Sequence, residues 1–358
     1  MTTQKKYELL QNDTINHNGR TLYRIKAITT FGTVFAGTLG GYIEKESNLK
    51  HLGNAWVYDN AKVYDSAEVY GNAKVYDSAE VYGNAEVYGN AEVWGSAKVW
   101  GNAEVWGSAE VYGNAKVYDS AKVYDSAEVY GNAEVWGSAE VYGNAKVWGN
   151  AEVWGSAEVY GNAEVWGSAK VWGNAEVWGS AEVYGNAKVY DSAEVWGSAK
   201  VRSFAVLSER KMIFWASNVG TENGTLTVYN GKDGLLVTRG CFTGTVEEFL
   251  AKSDEVHDEK FLSEVSWAVS GSHFNDGTIA QYDIVGMWEE PRPTVTLTLP
   301  CPLKEPRDGM WFIGDNFNVI KSNFPTHSYI EKLFDQGLYF ASAEDAGAWL
   351  DALKNSMR

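Results

Sequence analysis

Valine recurs every six residues from Val57 to Val201, twenty-five times, inside the unit (Asn/Ser)-Ala-(Glu/Lys)-Val-(Tyr/Trp)-(Gly/Asp). No α-helix has that period. Six is a multiple of the strand period of two, so in Glu68-Val69-Tyr70 the valine points to one side and its neighbours to the other. The Gly or Asp and the Asn or Ser that follow tolerate tight or left-handed turns, so each hexad reads as a short strand and a corner. One such strand cannot bury its valine alone. Three hexads close a triangular coil, and successive coils stack through backbone hydrogen bonds with valine and alanine inside. The expected fold is an all-β solenoid, a triangular parallel β-helix of about eight coils, roughly 40 Å long at about 4.8 Å per coil. Full burial of a valine contributes about 1.5 to 3 kcal/mol before the cost of ordering the chain, so stability has to accumulate over many coils.

An aliphatic residue followed four places later by a small one resembles the pattern of the hexapeptide-repeat family. That resemblance implies a left-handed parallel β-helix, and the handedness rests on it alone, because parallel crossovers generally favour the right hand. The stretch from Leu39 to Leu49, Leu-Gly-Gly-Tyr-Ile-Glu-Lys-Glu-Ser-Asn-Leu, leads into Gly53-Asn-Ala-Trp-Val57. It resembles the opening of hexapeptide-repeat proteins encoded by phages and prophages, which carry no known activity.

Residues 1–53, with strand-like runs such as Thr21 to Ile28, are expected to form an N-terminal β cap, because an open coil end exposes an apolar core and unpaired edges. Residues 54–202 are the β-helix, and the pattern breaks at Arg202-Ser-Phe204. Residues 203–288 read as an α+β domain. Its strands lie at Ile213-Phe-Trp, Thr225 to Tyr229 and Leu235 to Thr238, a capping box Thr245-Val-Glu-Glu248 starts a helix, and Phe261, Val265 and Ala268 form one face of a second. The segment Arg239 to Phe249 resembles a small module attached to phage hexapeptide-repeat proteins. After Glu289-Glu-Pro-Arg-Pro293, residues 289–358 are a further α+β piece, either a small domain or an extension of the previous one.

Enzymatic hexapeptide-repeat proteins are acyltransferases that use a histidine base beside a cleft between helices, and carbonic anhydrases that hold zinc on three histidines. Here the five histidines, His17, His51, His257, His273 and His327, all lie outside the hexads, which run without one insertion. No cofactor, metal or catalytic residue is therefore expected, with a degenerate acyltransferase as the enzymatic alternative. Cys241 with His257 could form a thiolate pair, but a cysteine in Gly-Cys-Phe at a strand end is more often a small core residue. His273 near Asp276 carries no more weight, and no glycine motif has the lysine of a phosphate loop.

Positions eighteen apart stack on one face, and the three faces differ. One carries Glu68, Glu86, Glu104, Lys122, Glu140, Glu158, Glu176 and Glu194, a second mixes signs from Lys74 to Lys200, and the third, from Lys62 to Lys188, is lysine-rich. A row of like charges at strand spacing repels itself, so the acidic face is the candidate binding site. Its rings are Tyr70, Tyr88, Trp106, Tyr124, Tyr142, Tyr160, Trp178 and Trp196. Such a surface suits a basic protein groove, with rings supplying buried area and carboxylates supplying orientation and encounter rate. The blander reading is a solvated charge row beside rings that stack on one another.

Twenty-four rings between Tyr58 and Trp196 make an unusually apolar exterior, which favours some cover. A homo-oligomer is one candidate, with lysine-rich and acidic faces meeting around a three-fold axis as in the family resembled. A foreign basic protein is another, for a viral chain a host defence or regulatory protein. Carbohydrate is disfavoured without a secretion signal, and an ice-binding surface would need threonine rows. The net charge of −17 and pI near 4.8 argue against nucleic acid or an anionic membrane surface. Two cysteines, no signal-like start and no long apolar run make cytoplasm the expected location, in a cell or in the host of a virus.

Overall fold

A computed structural model describes residues 4–219 and 224–256, with short segments at 311–314, 318–321, 339–340, 342–343 and 346–347. The chain divides into two units, Met1–Ser272 and His273–Arg358. In the first, the hexads wind into a parallel β-solenoid. Two of its sheets stack nine strands each, and the third stacks a further parallel series that the N-terminal strands join at one edge. That is about nine turns, one more than the valine period alone implies.

Each hexad contributes a short strand, usually just its charged residue and valine. Register is strict: Glu86 lies between Glu68 and Glu104, and Val87 between Val69 and Val105. Every repeat valine from Val57 to Val201 and every repeat alanine from Ala55 to Ala199 is fully buried. The corners are left-handed, with Asp65 and Asp119 at φ 60° and Gly101 at 76°. At Gly101 a Cβ would stand 2.8 Å from the backbone of Asp119 in the next coil, so the glycine there answers to space as well as to φ. Asparagines stacked at a corner bond one another, as Asn54 Nδ2 donates to Asn72 Oδ1 at 3.0 Å and Asn72 to Asn90 at the same distance.

The solenoid runs past the hexads at both ends. Leu39–Ile43 and Leu49–Gly53 are already rungs, with Ile43 in register with Val63 and Leu49 with Val69. Inward positions therefore run Ile43, Leu49, Val57, Val63, and the longer step between Leu49 and Val57 hides the period. At the other end the pattern does not stop at Arg202. Ser203 takes the left-handed corner at φ 64°, Ala205 and Leu207 are buried in the inward places, and Val206–Glu209 pairs onto the preceding rung. Composition changes there while geometry continues.

Backbone N–H groups donate from each coil to carbonyls of the next, as Lys62 N–H does to Ala79 and Tyr64 N–H to Val81. The first coil thus presents mostly open carbonyls and the last mostly open N–H groups. The hairpin Tyr7–His17 and Arg20–Ala27 closes the first end, pairing antiparallel onto Leu39–Ile43. Buried Lys6 donates its Nζ to the carbonyls of Gly53 (3.2 Å) and Ala55 (2.8 Å), and buried Asn48 donates to Asp65 (3.2 Å) and Ala67 (2.8 Å). Trp56, Tyr7 and Ile25 fill the apolar end.

A four-stranded antiparallel sheet, Ile213–Val219, Gly224–Gly231, Gly234–Arg239 and Phe242–Thr245, closes the other end. The strands expected there are present. So is the capping box, in which Glu248 N–H donates to Thr245 Oγ1 (3.2 Å) and Thr245 N–H to Glu248 Oε2 (2.9 Å) at the start of helix Val246–Val256. Cys241 is exposed in the turn between two of these strands, so the expectation of a buried core cysteine is corrected. The second helix face of Phe261, Val265 and Ala268, and His257, His273, Asp276, Cys301 and His327, lie outside the described residues. In the second unit, Trp311–Gly314 pairs antiparallel with Asn318–Lys321 and with Tyr339–Phe340.

Candidate functional site

The candidate residues do come together on one sheet. Its nine strands run from Leu49–Gly53 to Glu194–Val195 and hold Glu68, Glu86, Glu104, Lys122, Glu140, Glu158, Glu176 and Glu194 in a single file. Two cations from outside the hexads neutralise the ends of the file: Lys50 pairs with Glu68 at 2.6 Å and Arg210 with Glu194 at 2.9 Å. Lys122 pairs with Glu140 at 3.0 Å. Among the described residues Glu86, Glu104, Glu158 and Glu176 make no ion pair, so the negative field concentrates in two adjacent couples.

Those carboxylates are not loose. Each ring sits two residues after its charge, and where it is a tyrosine it leans toward the glutamate sixteen residues on. Tyr70 Oη donates to Glu86 Oε2 at 2.7 Å, Tyr88 to Glu104 at 3.1 Å, Tyr142 to Glu158 at 2.9 Å and Tyr160 to Glu176 at 3.1 Å. Tyr124 adds a fifth such bond, to Glu140, at 2.9 Å. Burial first, and the bonded carboxylate second, push these phenols up, Tyr88 and Tyr160 to about 12. They stay protonated donors and fix the carboxylate orientation at neutral pH.

Trp106, Trp178 and Trp196 complete the stack and take no part in this bonding. Trp106 stands before Lys122, and Trp178 before the Glu194 that Arg210 holds. The diagonal was not part of the sequence reading. Its signal was there as a tyrosine and a glutamate sixteen apart, and all nine such pairs in the rod are bonded.

The other two sheets compensate themselves more fully. In the lysine-rich sheet, Lys62 and Lys98 both hold Glu80, Lys116 holds Glu134 and Lys170 holds Glu152. Its first rings are also covered, with Leu22 and Ile15 of the hairpin packed on Tyr42 and Tyr64. In the mixed sheet Lys74, Lys146 and Lys200 pair with Glu92, Glu128 and Glu182. Glu110 there is pushed up by burial and by Glu128 and Glu92 on either side.

The rings form three stacks, and within the acidic sheet neighbouring centroids lie 4.3 to 5.7 Å apart. Stacking covers ring faces and leaves edges outward, so the rings of this sheet are half-buried and the exterior is less apolar than the ring count suggests. The large apolar side chains that are exposed among the described residues, Ile28, Phe35, Leu39, Leu52 and Phe204, all lie outside the repeats. No group of three His, Cys, Asp or Glu among the described residues is placed to hold a metal ion.

The model of one protein family, described as Haemophilus phage HP1 protein YO09, matches residues 246–290. The match opens at helix Val246–Val256, after the rod and its closing sheet. No curated protein matches the chain.

Proposed function

We propose that this chain is a non-catalytic rod that docks a basic protein along its acidic sheet. The observation that carries the reading is the fixed couples Glu86–Glu104 and Glu158–Glu176, which make no ion pair among the described residues, on a sheet whose ring edges supply apolar area beside them. Carboxylates already oriented by tyrosines lose little freedom on binding, so more of their attraction survives as affinity. The phage-family match favours a phage or prophage gene product acting in the cytoplasm of its host, against a basic defence or regulatory protein there. Covered ring faces weigh against carbohydrate, which stacks on faces. Lysines largely engaged within their own sheet weigh against a trimer closed by lysine-rich and acidic faces. The hexads coil without an interrupting loop, which weighs against an acyltransferase cleft.

The test replaces Glu86, Glu104, Glu158 and Glu176 with lysine, which the same sheet already accommodates at Lys122. Affinity capture from host lysate should recover one basic protein with the parent rod, more weakly as salt rises, and lose it with the variant. An identical catch from both rods removes the acidic sheet as the site. Sedimentation showing a salt-sensitive trimer of the parent, abolished in the variant, would replace the foreign partner with the chain itself.

A further inference from the structure

The aromatic stack of the acidic sheet has a second property, independent of any docked protein. Its eight rings run from Tyr70 to Trp196 with centroids 4.3 to 5.7 Å apart and planes within 5° until the last step, which is 17°. Tyrosine and tryptophan are the side chains most readily oxidised by one electron outside cysteine and methionine, and rings in van der Waals contact exchange an electron readily. Tryptophan can lose the electron alone. Tyrosine must also release its phenolic proton, and each of five tyrosines here has an acceptor in place, the carboxylate Oε2 at 2.7 to 3.1 Å.

We propose that this stack carries one-electron oxidising equivalents along the rod. An outer-sphere one-electron oxidant removes an electron from one ring and is itself reduced. If that ring is a tyrosine, its proton crosses to the bonded glutamate, leaving a neutral phenoxyl radical and a carboxylic acid. When the next ring gives up an electron, the phenoxyl is reduced and the proton returns from the acid to the phenolic oxygen. The hole has moved one coil with every atom restored. The other stacks are less suited. The mixed sheet begins with an edge contact of 6.2 Å between Tyr58 and Tyr76, and the acceptor bonds of the lysine-rich sheet, at Tyr64 and Tyr118, are 3.5 and 3.3 Å long.

The experiment uses the full chain carrying Cys241→Ser and Cys301→Ser, with Ser198→Cys bearing a ruthenium polypyridyl photo-oxidant beside Trp196. 3-Aminotyrosine at position 70 serves as the sink. After flash-quench generation of ruthenium(III), transient absorption should show the aminotyrosyl radical. The signal should be lost on Trp106→Leu, which opens the stack between source and sink, and kept on Trp106→Tyr combined with Lys122→Glu, which restores a ring together with its proton acceptor. Trp100→Leu, which opens the neighbouring stack, should leave it unchanged. No sink radical in the intact rod, or an equal yield with Trp106→Leu, overturns the proposal. Circular dichroism of each variant reports that the coil has formed, and a loss caused by misfolding would also appear with Trp100→Leu. Docking of a protein plays no part in the readout, so the two proposals fail separately.

Discussion

The two ends of the rod solve opposite problems. The first coil offers carbonyls, and its cap brings donors: the Lys6 ammonium to Gly53 and Ala55 and the Tyr7 hydroxyl to Leu49, both buried. The last coil offers N–H groups, and its cap brings acceptors. Lys200 N–H donates to Thr227 Oγ1 at 3.0 Å, and Arg202 N–H to Tyr229 Oη at 3.3 Å. A parallel coil in which most N–H groups between coils point toward the following coil cannot close both ends with the same chemistry. The repeats need no such device, since each coil is the cap of the one before.

The largest effect should come from removing both caps. Trimmed to residues 39–203, the rod keeps nine whole coils and exposes an acceptor end and a donor end that match. Apolar ends centred on Trp56 and Val201 would meet as well. Filaments are expected, growing with concentration and visible by light scattering and electron microscopy. Removing either cap alone should give none, because acceptor ends do not pair with acceptor ends. Filaments from a single truncation would show that end polarity does not control association.

That polarity marks the limit of what the residues alone reveal. The coil, the buried Val and Ala, the left-handed Gly and Asp corners and the single file of glutamates all follow from a period, because a period places each residue against a known neighbour. Ile43 and Leu49 already occupy inward places, but the eight residues from Leu49 to Val57 disguise them. Tyr70 stacks on Tyr88 yet bonds Glu86 beside it, through a lateral lean of the side chain that no spacing rule supplies. Lys6 and Thr227 act on strands far away in sequence, and nothing local marks either as a cap.

A smaller break targets the donor end. Tyr229 Oη accepts from Arg202 N–H, donates to Arg202 C=O at 3.2 Å and shares a 2.8 Å bond with Thr238 Oγ1, all while fully buried. Tyr229→Phe keeps the ring and strands that N–H, a cost of about 1–3 kcal/mol. Denaturant unfolding should show the midpoint fall. A change confined to the closing sheet, with the rod's own transition unmoved, would mean the bond to Arg202 does not hold the end coil.

The smallest effect separates the two ends by pH. Burial lowers Lys6 from its ordinary 10.5 to about 8, whereas the donor end relies on hydroxyls and N–H groups that do not titrate there. Between about 8 and 10.5 the unfolded chain therefore holds a proton that the folded chain has released, so the contribution of Lys6 to stability rises with pH across that window. The bond to Gly53 is only part-buried, which lets water screen the shift, and a gain of about 1 kcal/mol is the reasonable scale. Glu46, His51 and the Phe31 ring share this cap. The His51 ring is itself lowered by burial, so it adds a loss of stability in acid, well below the window. From about pH 9 the tyrosines act in the opposite sense, because the folded rod retains phenolic protons that the unfolded chain gives up. The tyrosines lower both proteins alike, so from pH 8 to 10 the unfolding midpoint of the parent should gain on that of Lys6→Met. An equal slope in both would place the titrating group elsewhere than the acceptor end.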